Sequence, residues 1–410
     1  MRVGERWLPR VAGPGGGALR VAQGCVLMLA FVLPFSIALT EGALILGMCA
    51  LGVSRIRGRR LDFARSWLEP ASIALVLSWL LSTVFSVAPM ESLYHVRKLY
   101  ALGLIWLVAE CAREPRVRSR LVPLILAGAS LTAVVGFVIF SFKVRQDPDY
   151  RLQSLLSNQM TSGGVLAASV LWGLAGLAVA RGIRRIAYGA VLIPLVAALA
   201  LTQTRSHWLG VVCGAAVVLL ALAPRWWWTL PLSFVVGTKL APVRLVARLF
   251  SIVNPHDPGN QGRLSMWRSG IDIIRDHPWI GVGCQDLLAL YRRYRYPDWT
   301  FESGHFHNNF VQVTVMTGLI GLVAFLGWHA AALVQLVKSN RVARGQDRGL
   351  AAGAAAVFTG LVVAGLFDFT FGDAEVVYHS YLGLGLAIAL MPSRHTGNTE
   401  GLRSRVAPAN

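Results

Sequence analysis

The sequence predicts an all-α polytopic membrane protein, and three observations carry that prediction. Of its 410 residues 55% are hydrophobic and only 14% charged, with a mean hydropathy of +0.56. A soluble chain of this length needs far more polar surface. The apolar residues also fall into runs long enough to cross a bilayer. Finally, the arginines and lysines gather in alternate connections between those runs, as cytoplasmic loops do.

Taken in chain order, residues 1–18 are rich in Gly, Pro and Arg and read as a disordered cytoplasmic N-terminus. About twelve spans follow, at 19–38, 40–54, 68–87, 97–112, 121–142, 162–180, 186–203, 208–223, 226–240, 309–337, 350–371 and 376–392. Those at 40–54 and 226–240 are short. The first run does not read as a cleaved signal, because a second follows at once and no small-residue cleavage site is evident. Nine spans thus occupy 19–240 and three occupy 309–392, with a polar cytoplasmic tail at 393–410. No sequence repeat relates the two halves.

Net charge is +19. On a soluble protein that would suggest nucleic acid, but 24 of the 39 basic residues lie in the N-terminus, 55–65, 113–120, 181–185, Arg225, 338–348 and the tail. The charge therefore sets orientation, with both termini cytoplasmic, and implies no nucleic-acid partner. By alternation the segment 241–308 lies outside. It nevertheless holds eight arginines between Ala241 and His305. An anionic ligand is the simplest reason to keep them there.

Two amphipathic helices are expected within that loop. One covers about 262–276, with Met266, Trp267, Gly270, Ile271 and Ile274 on one face and His277-Pro278 ending it; the other covers about 285–294. Of five cysteines only Cys284 falls in this loop, so no disulfide framework is possible. No Walker loop, GxGxxG or HExxH occurs, which leaves nucleotide-driven transport and zinc proteolysis without support.

Three groups of residues are candidates for chemistry. Thr202-Gln203-Thr204-Arg205-Ser206-His207-Trp208 interrupts two spans at the outer face. Arg205, flanked by hydroxyls, can meet phosphate oxygens as a bidentate fork; a snorkelling arginine that anchors a helix end is the alternative. Arg263 precedes Trp267 and the tight re-entry His277-Pro278-Trp279-Ile280-Gly281-Val282-Gly283, whose glycines would leave backbone N–H groups free to face an anion. A solvated helix face is the plainer reading of Arg263. His305-Phe306-His307-Asn308-Asn309 opens the longest span. A histidine there can take a proton from a hydroxyl near neutral pH, with the amides placed to orient the ring or an acceptor sugar. The HxH spacing also suits two metal ligands, but no third Cys, Asp or Glu lies at a recognisable offset, so no metal or other cofactor is expected. Lesser candidates are Arg97 and Lys98, for a lipid phosphate or headgroup anchoring, with Arg145, Arg151, Asp368 and Asp373. Asp368 could orient a histidine or form an ordinary ion pair.

The order Thr-x-Thr-Arg-Ser, Gly-Arg, Trp, His-Pro-x-x-Gly-x-Gly, then His-Asn with Gly318-Leu319-Ile320-Gly321, resembles the O-antigen ligase superfamily over about 196–330. That superfamily also includes O-antigen polymerases and bacterial protein O-oligosaccharyltransferases. The resemblance implies a C-type glycosyltransferase-like membrane fold and a donor glycan carried on undecaprenyl pyrophosphate at the periplasmic face. It implies a metal-independent transfer in which arginines grip the pyrophosphate and a histidine acts as base. Carried onto this chain, the phosphate arginines are Arg205 and Arg263, and the base is His307, with His305 beside it as the alternative. The expected activity is an O-antigen ligase transferring polysaccharide to a lipid A core in the inner membrane. A polymerase or protein O-oligosaccharyltransferase acting on the same donor is the near alternative. A flippase or secondary transporter is the non-enzyme one, and would need polar, broken segments in mid-membrane.

Overall fold

The computed structural model describes residues 16–58, 66–156, 158–296 and 304–392. The expected disordered N-terminus, up to residue 15, and the tail from residue 393 lie outside them. Among the described residues every regular element is helical. The chain runs through α1 (Gly16–Val32), α2 (Ile37–Ile56), α3 (Leu68–Val84), α4 (Pro89–Val96), a 3-10 turn (Arg97–Leu102) and α5 (Gly103–Cys111). There follow α6 (Pro115–Lys143), α7 (Gln159–Val179), α8 (Ile183–Leu201), α9 (Arg205–Leu222) and α10 (Thr229–Leu240). The long loop contributes α11 (Val243–Phe250), α12 (Pro258–Asp276) and α13 (Leu288–Tyr294). The chain then closes with α14 (Asn309–Val342), α15 (Asp347–Ala364) and α16 (Ala374–Ala389).

Seven of these helices, α2, α6, α7, α8, α9, α14 and α15, are long and apolar enough to cross a membrane. α1 and α3 are shorter apolar helices. The sequence reading of about twelve spans is corrected in two places. The run at 97–112 is broken into a 3-10 turn and the nine-residue α5, and the run at 226–240 yields only the twelve-residue α10. Large apolar side chains such as Leu77, Ile193, Leu220 and Val323 point outward, while Trp172, Trp328, Phe325 and Tyr378 fill the interior. A surface that apolar needs lipid rather than water against it.

Helix starts are set by local chemistry. Asn158 accepts the Met160 and Thr161 amides to open α7, and Asp257 accepts the Asn260 amide ahead of Pro258 to open α12. Asn308 does the same for α14 through the Phe310 and Val311 amides. In α9, a Cβ on Gly210 would stand 2.4 Å from the Gly360 carbonyl oxygen, so α9 and α15 approach backbone to backbone.

Hydrogen bonds assign the connections to two ends of the bundle. At one end Leu152 bonds Leu201, Val87 bonds Val282, Asn309 bonds Gly365, and Thr161 donates to Asp373. At the other, Arg118 forms a two-pronged pair with Asp347, Arg348 donates to Ala221, and Ser66 donates to Gln335. The connections rich in basic residues share the second end. The described residues of 241–308 sit at the first.

Candidate active site

Within the loop the structure revises the expected helices. α12 begins at Pro258, four residues earlier than the periodicity suggests, which puts Arg263 in its second turn rather than at its start. α13 covers only 288–294 of the expected 285–294. α11 was not anticipated. Its Arg244 and Arg248 lie one helical turn apart, opposite an apolar face of Val243, Leu245, Val246 and Phe250.

The glycine-rich re-entry has a different purpose from the one expected of it. α14 is interrupted at Gly318, whose φ of 64° and ψ of −168° are accessible only to glycine. The interruption frees carbonyls and amides on α14, and the 278–283 turn takes them up. Val282 and Gly283 donate to Val315 and Met316, at 3.0 and 2.9 Å, while Leu319 and Ile320 donate to Pro278 and Trp279, at 2.8 and 3.2 Å. The Val282 and Gly283 amides are therefore spent on α14 rather than offered to an anion. His-Pro-x-x-Gly-x-Gly and Gly318-x-x-Gly321 form one device that docks the loop into the bundle.

Arg205 is the first residue of α9 and is buried. Only Thr202–Thr204 separates α8 from α9, so Arg205 and His207 belong to a helix rather than to an interruption. Gln203, at φ 53°, makes the reversal. The Thr202 and Thr204 hydroxyls bond each other at 2.8 Å, and Thr202 also donates to Leu199, so they brace the turn instead of offering themselves to phosphate. Arg205 donates to the Ser251 carbonyl and hydroxyl and pairs with Asp257 at 2.9 Å. A cation at a helix N-terminus opposes the helix dipole, which is an arrangement that favours an added anion.

Arg205 is one of four clustered guanidiniums. Arg248 shares Asp257 with it, at 4.0 Å, and Arg151 donates to the Thr202 and Gln203 carbonyls. Arg263 donates through Nε to Phe367 O at 2.9 Å. Burial lowers the pKa of Arg151 to about 10, helped by the fields of Arg248, Arg205 and Arg263. Arg263 is shifted down by burial and then by Arg205, against an upward pull from Asp368. Arg248 and Asp257 were not singled out by the sequence. The only signal was the four-residue spacing of Arg244 and Arg248. Four cations against two carboxylates, Asp257 and Asp368, leave the cluster short of negative charge.

Beside it opens a cavity of about 220 Å³. Arg205, Ser206, Asn260 and Arg263 supply its polar wall, and Leu209, Leu264, Trp267 and Phe367 are among its apolar lining. Such a cavity suits the junction of an anionic headgroup and a hydrocarbon chain. Arg97 and Lys98 are not part of it. They are exposed on the 3-10 turn, and the Arg97 guanidinium lies 3.8 Å above the Tyr94 ring.

His307 lies against the 365–373 loop with a backbone φ of 47°, a left-handed conformation uncommon outside glycine. Its Nδ1 lies 3.2 Å from Asp368 Oδ1. With Asp368 ionised, Nδ1 carries the hydrogen and Nε2 keeps its lone pair. Burial pushes the Asp368 carboxyl upward, but the His307 hydrogen bond and the fields of His207, His307 and His305 outweigh it and hold the group below the usual carboxylate range. His305 packs against His307 with ring centroids 4.1 Å apart. Burial and then the His307 field lower the His305 pKa to about 4.

The amides expected to orient the ring or a sugar are committed elsewhere. Asn308 caps α14 and donates to Leu366 O, and Asn309 is buried against Thr370 and Phe371. Together they fasten the 365–373 loop that carries Asp368. Contrary to the sequence expectation, a third metal ligand does lie near the HxH pair. Asp368, some sixty residues downstream, brings a carboxylate to both histidines, with the three possible ligand atoms within 4.8 Å of one another. Asp373, the other acidic candidate, accepts from Thr161 at 2.6 Å and lies beyond this triad. Arg145 takes no part in the site.

A family model described as O-antigen ligase matches residues 189–326, from within α8 through the Arg205 turn and the long loop to just past the kink in α14. Asp368 lies outside the matched segment. No curated protein matches the chain.

Proposed function

From membership of the O-antigen ligase superfamily, which the match over 189–326 supports, we propose that the chain is a glycosyltransferase of the bacterial inner membrane. It moves a polysaccharide from undecaprenyl pyrophosphate to the lipid A core at the periplasmic face. The observation that carries this reading is the 367–368 dipeptide. Phe367 O holds Arg263 while Asp368 holds His307, so one short loop couples an anion grip to a base. The crowding of polar groups at one end of the bundle also favours an enzyme over a transporter with a central polar path.

In the proposed reaction the diphosphate occupies the arginine cluster and its polyprenyl chain leaves along the apolar wall toward lipid. An acceptor hydroxyl attacks the anomeric carbon while His307 Nε2 takes its proton. The bond from the anomeric carbon to the phosphate oxygen breaks, and its electron pair departs with the diphosphate. Arg205 and Arg263 stabilise the charge that develops there. Asp368 stabilises the imidazolium, and the step needs neither metal nor nucleotide. Arg205 must exchange at least part of its pairing with Asp257 for the phosphate.

A deletion strain provides the test. Loss of the whole lipopolysaccharide ladder with lipid-linked polymer accumulating supports the ligase. A product of core plus one repeat unit means a polymerase, and an unchanged profile with under-glycosylated protein means a protein oligosaccharyltransferase.

A further inference from the structure

We infer that His305, His307 and Asp368 form a binding site for a divalent transition metal of the zinc class, and that metal bound there shuts the site off. The inhibitory part rests on His307 being the base proposed above; the binding part does not.

The donor set argues for the metal class. Two imidazoles and one carboxylate with an open fourth position match zinc-type coordination. Imidazole suits zinc, copper or nickel, whereas calcium and magnesium require oxygen ligands. The geometry is close to what such an ion requires. One ligand atom from each residue lies within 4.8 Å of the others, and the two histidine rings lie side by side. Ligands held about 2.0–2.1 Å from a tetrahedral metal stand roughly 3.3 Å apart, so the triad must contract by about 1.5 Å at most. All three residues belong to connecting segments rather than helix interiors, which makes that contraction accessible. Asp368 has a free donor for the purpose. Its Oδ1 serves His307 and the Phe369 amide, and its Oδ2 takes no hydrogen bond from the described residues.

Inhibition follows from valence. Metal at His307 Nε2 occupies the lone pair that would accept the acceptor's proton. Metal at Nδ1 takes the lone pair there, so the hydrogen of the neutral ring moves to Nε2, which then has no lone pair for the acceptor's proton, and the hydrogen bond to Asp368 is lost. In either case the histidine cannot hold metal and act as the oriented base at once.

The test uses purified full-length protein in detergent, freed of metal by chelator and titrated with Co²⁺ as a visible-absorbing probe. The wild type should bind one Co²⁺ per chain with four-coordinate d–d bands, and Zn²⁺ should displace it. Asp368→Asn and His305→Gln should each weaken binding at least tenfold. His305→Cys should keep binding and add a thiolate-to-cobalt charge-transfer band, an effect that a packing role for His305 would not produce. With lipid-linked donor and acceptor, Zn²⁺ should slow transfer at least tenfold over the range in which it binds, and EDTA should restore it. Absence of binding, or binding unchanged in Asp368→Asn and His305→Gln, overturns the site. Binding with stimulation of transfer overturns its inhibitory role and the metal-free mechanism together. Binding as described in a protein that transfers no glycan leaves the site standing and removes the proposed function.

Discussion

Replacing Asp368 by Asn isolates the coupling between the proposed base and its partner. The carboxylate is buried and accepts from His307 Nδ1 at 3.2 Å and from the Phe369 amide at 2.9 Å. Asparagine keeps the volume and one acceptor oxygen, so the loop should hold its shape. The substitution removes the negative charge opposite the imidazolium that forms as the acceptor proton is taken up. A hydrogen bond to a charged group contributes about 1.5–3 kcal/mol. At 1.36 kcal/mol per factor of ten, kcat should fall about 10- to 150-fold. Donor binding should be nearly unchanged, because the arginines of the cluster keep their own partners. Steady-state transfer in proteoliposomes gives kcat and KM, and equilibrium binding of a non-hydrolysable donor analogue gives the grip separately. An Asp368→Asn protein with wild-type kcat refutes the dyad. So does one whose whole defect lies in donor affinity, since Asp368 would then be acting through Arg263 rather than through His307.

Other perturbations probe the remaining parts. Arg205→Ala or Arg263→Ala should lose about 1.5–3 kcal/mol of charge-assisted contact, and Lys should restore only part of it because a point charge lacks the planar fork; full activity of both Lys variants, measured as kcat/KM, would reduce these residues to general positive charge. The His305 ring, held at about 4 by burial, stays neutral through the ordinary imidazole range. An acid limb of the pH–rate profile between about 6 and 7 therefore excludes His305 as the base, and a limb near 4 points to it. Because the unfolded chain takes up that proton first, His305 also costs stability as the pH falls from 6.5 toward about 4, visible as a lower melting temperature of the wild type than of His305→Gln in acid. A Cβ on Gly318 would stand 2.2 Å from Trp279 O, so Gly318→Ala should cost at least the roughly 1–3 kcal/mol of a disfavoured backbone and release the 278–283 turn. Proteolysis of that turn at unchanged rate in the variant would contradict the docking. Cys284 is buried with its thiol pushed up to about 12 by desolvation, so maleimide should spare it in the folded protein even from the loop side.

The sequence displays what depends on neighbours along the chain. Apolar runs at 186–203 and 208–223 correspond to α8 and α9 within a few residues, because hydropathy and helix length are local properties. Arg205 and His307 stand out as polar groups at the ends of apolar runs and Arg263 as an arginine of the long loop ahead of Trp267, and all three meet at the same end of the bundle. What could not be read depends on helices brought together from afar. Asp368 becomes the partner of His307 because α15 packs backbone to backbone on α9 and Asn309 binds the loop that follows, a match of register that no spacing reveals. Arg97 and Lys98 look like headgroup ligands by charge and position, yet a break in the helix at 97–102 leaves them exposed and outside the cavity. The glycines of the 278–283 turn suggest a nest for an anion, but the Val282 and Gly283 amides answer a kink in another helix. Asp257 draws no attention in the sequence because its function as a helix cap hides its pairing with Arg205.

The late position of Asp368 has a consequence for how the protein comes into being. Arg205, Arg263 and both histidines are synthesised before α15, whereas the carboxylate emerges only in the connection between α15 and α16. A chain still waiting for its final hairpin lacks both Phe367, whose carbonyl holds Arg263, and Asp368, which holds His307. In the proposed mechanism the anion grip and the base are therefore completed together, by the last connection of the bundle to be made. A nascent chain stalled before that connection holds neither part in its final form.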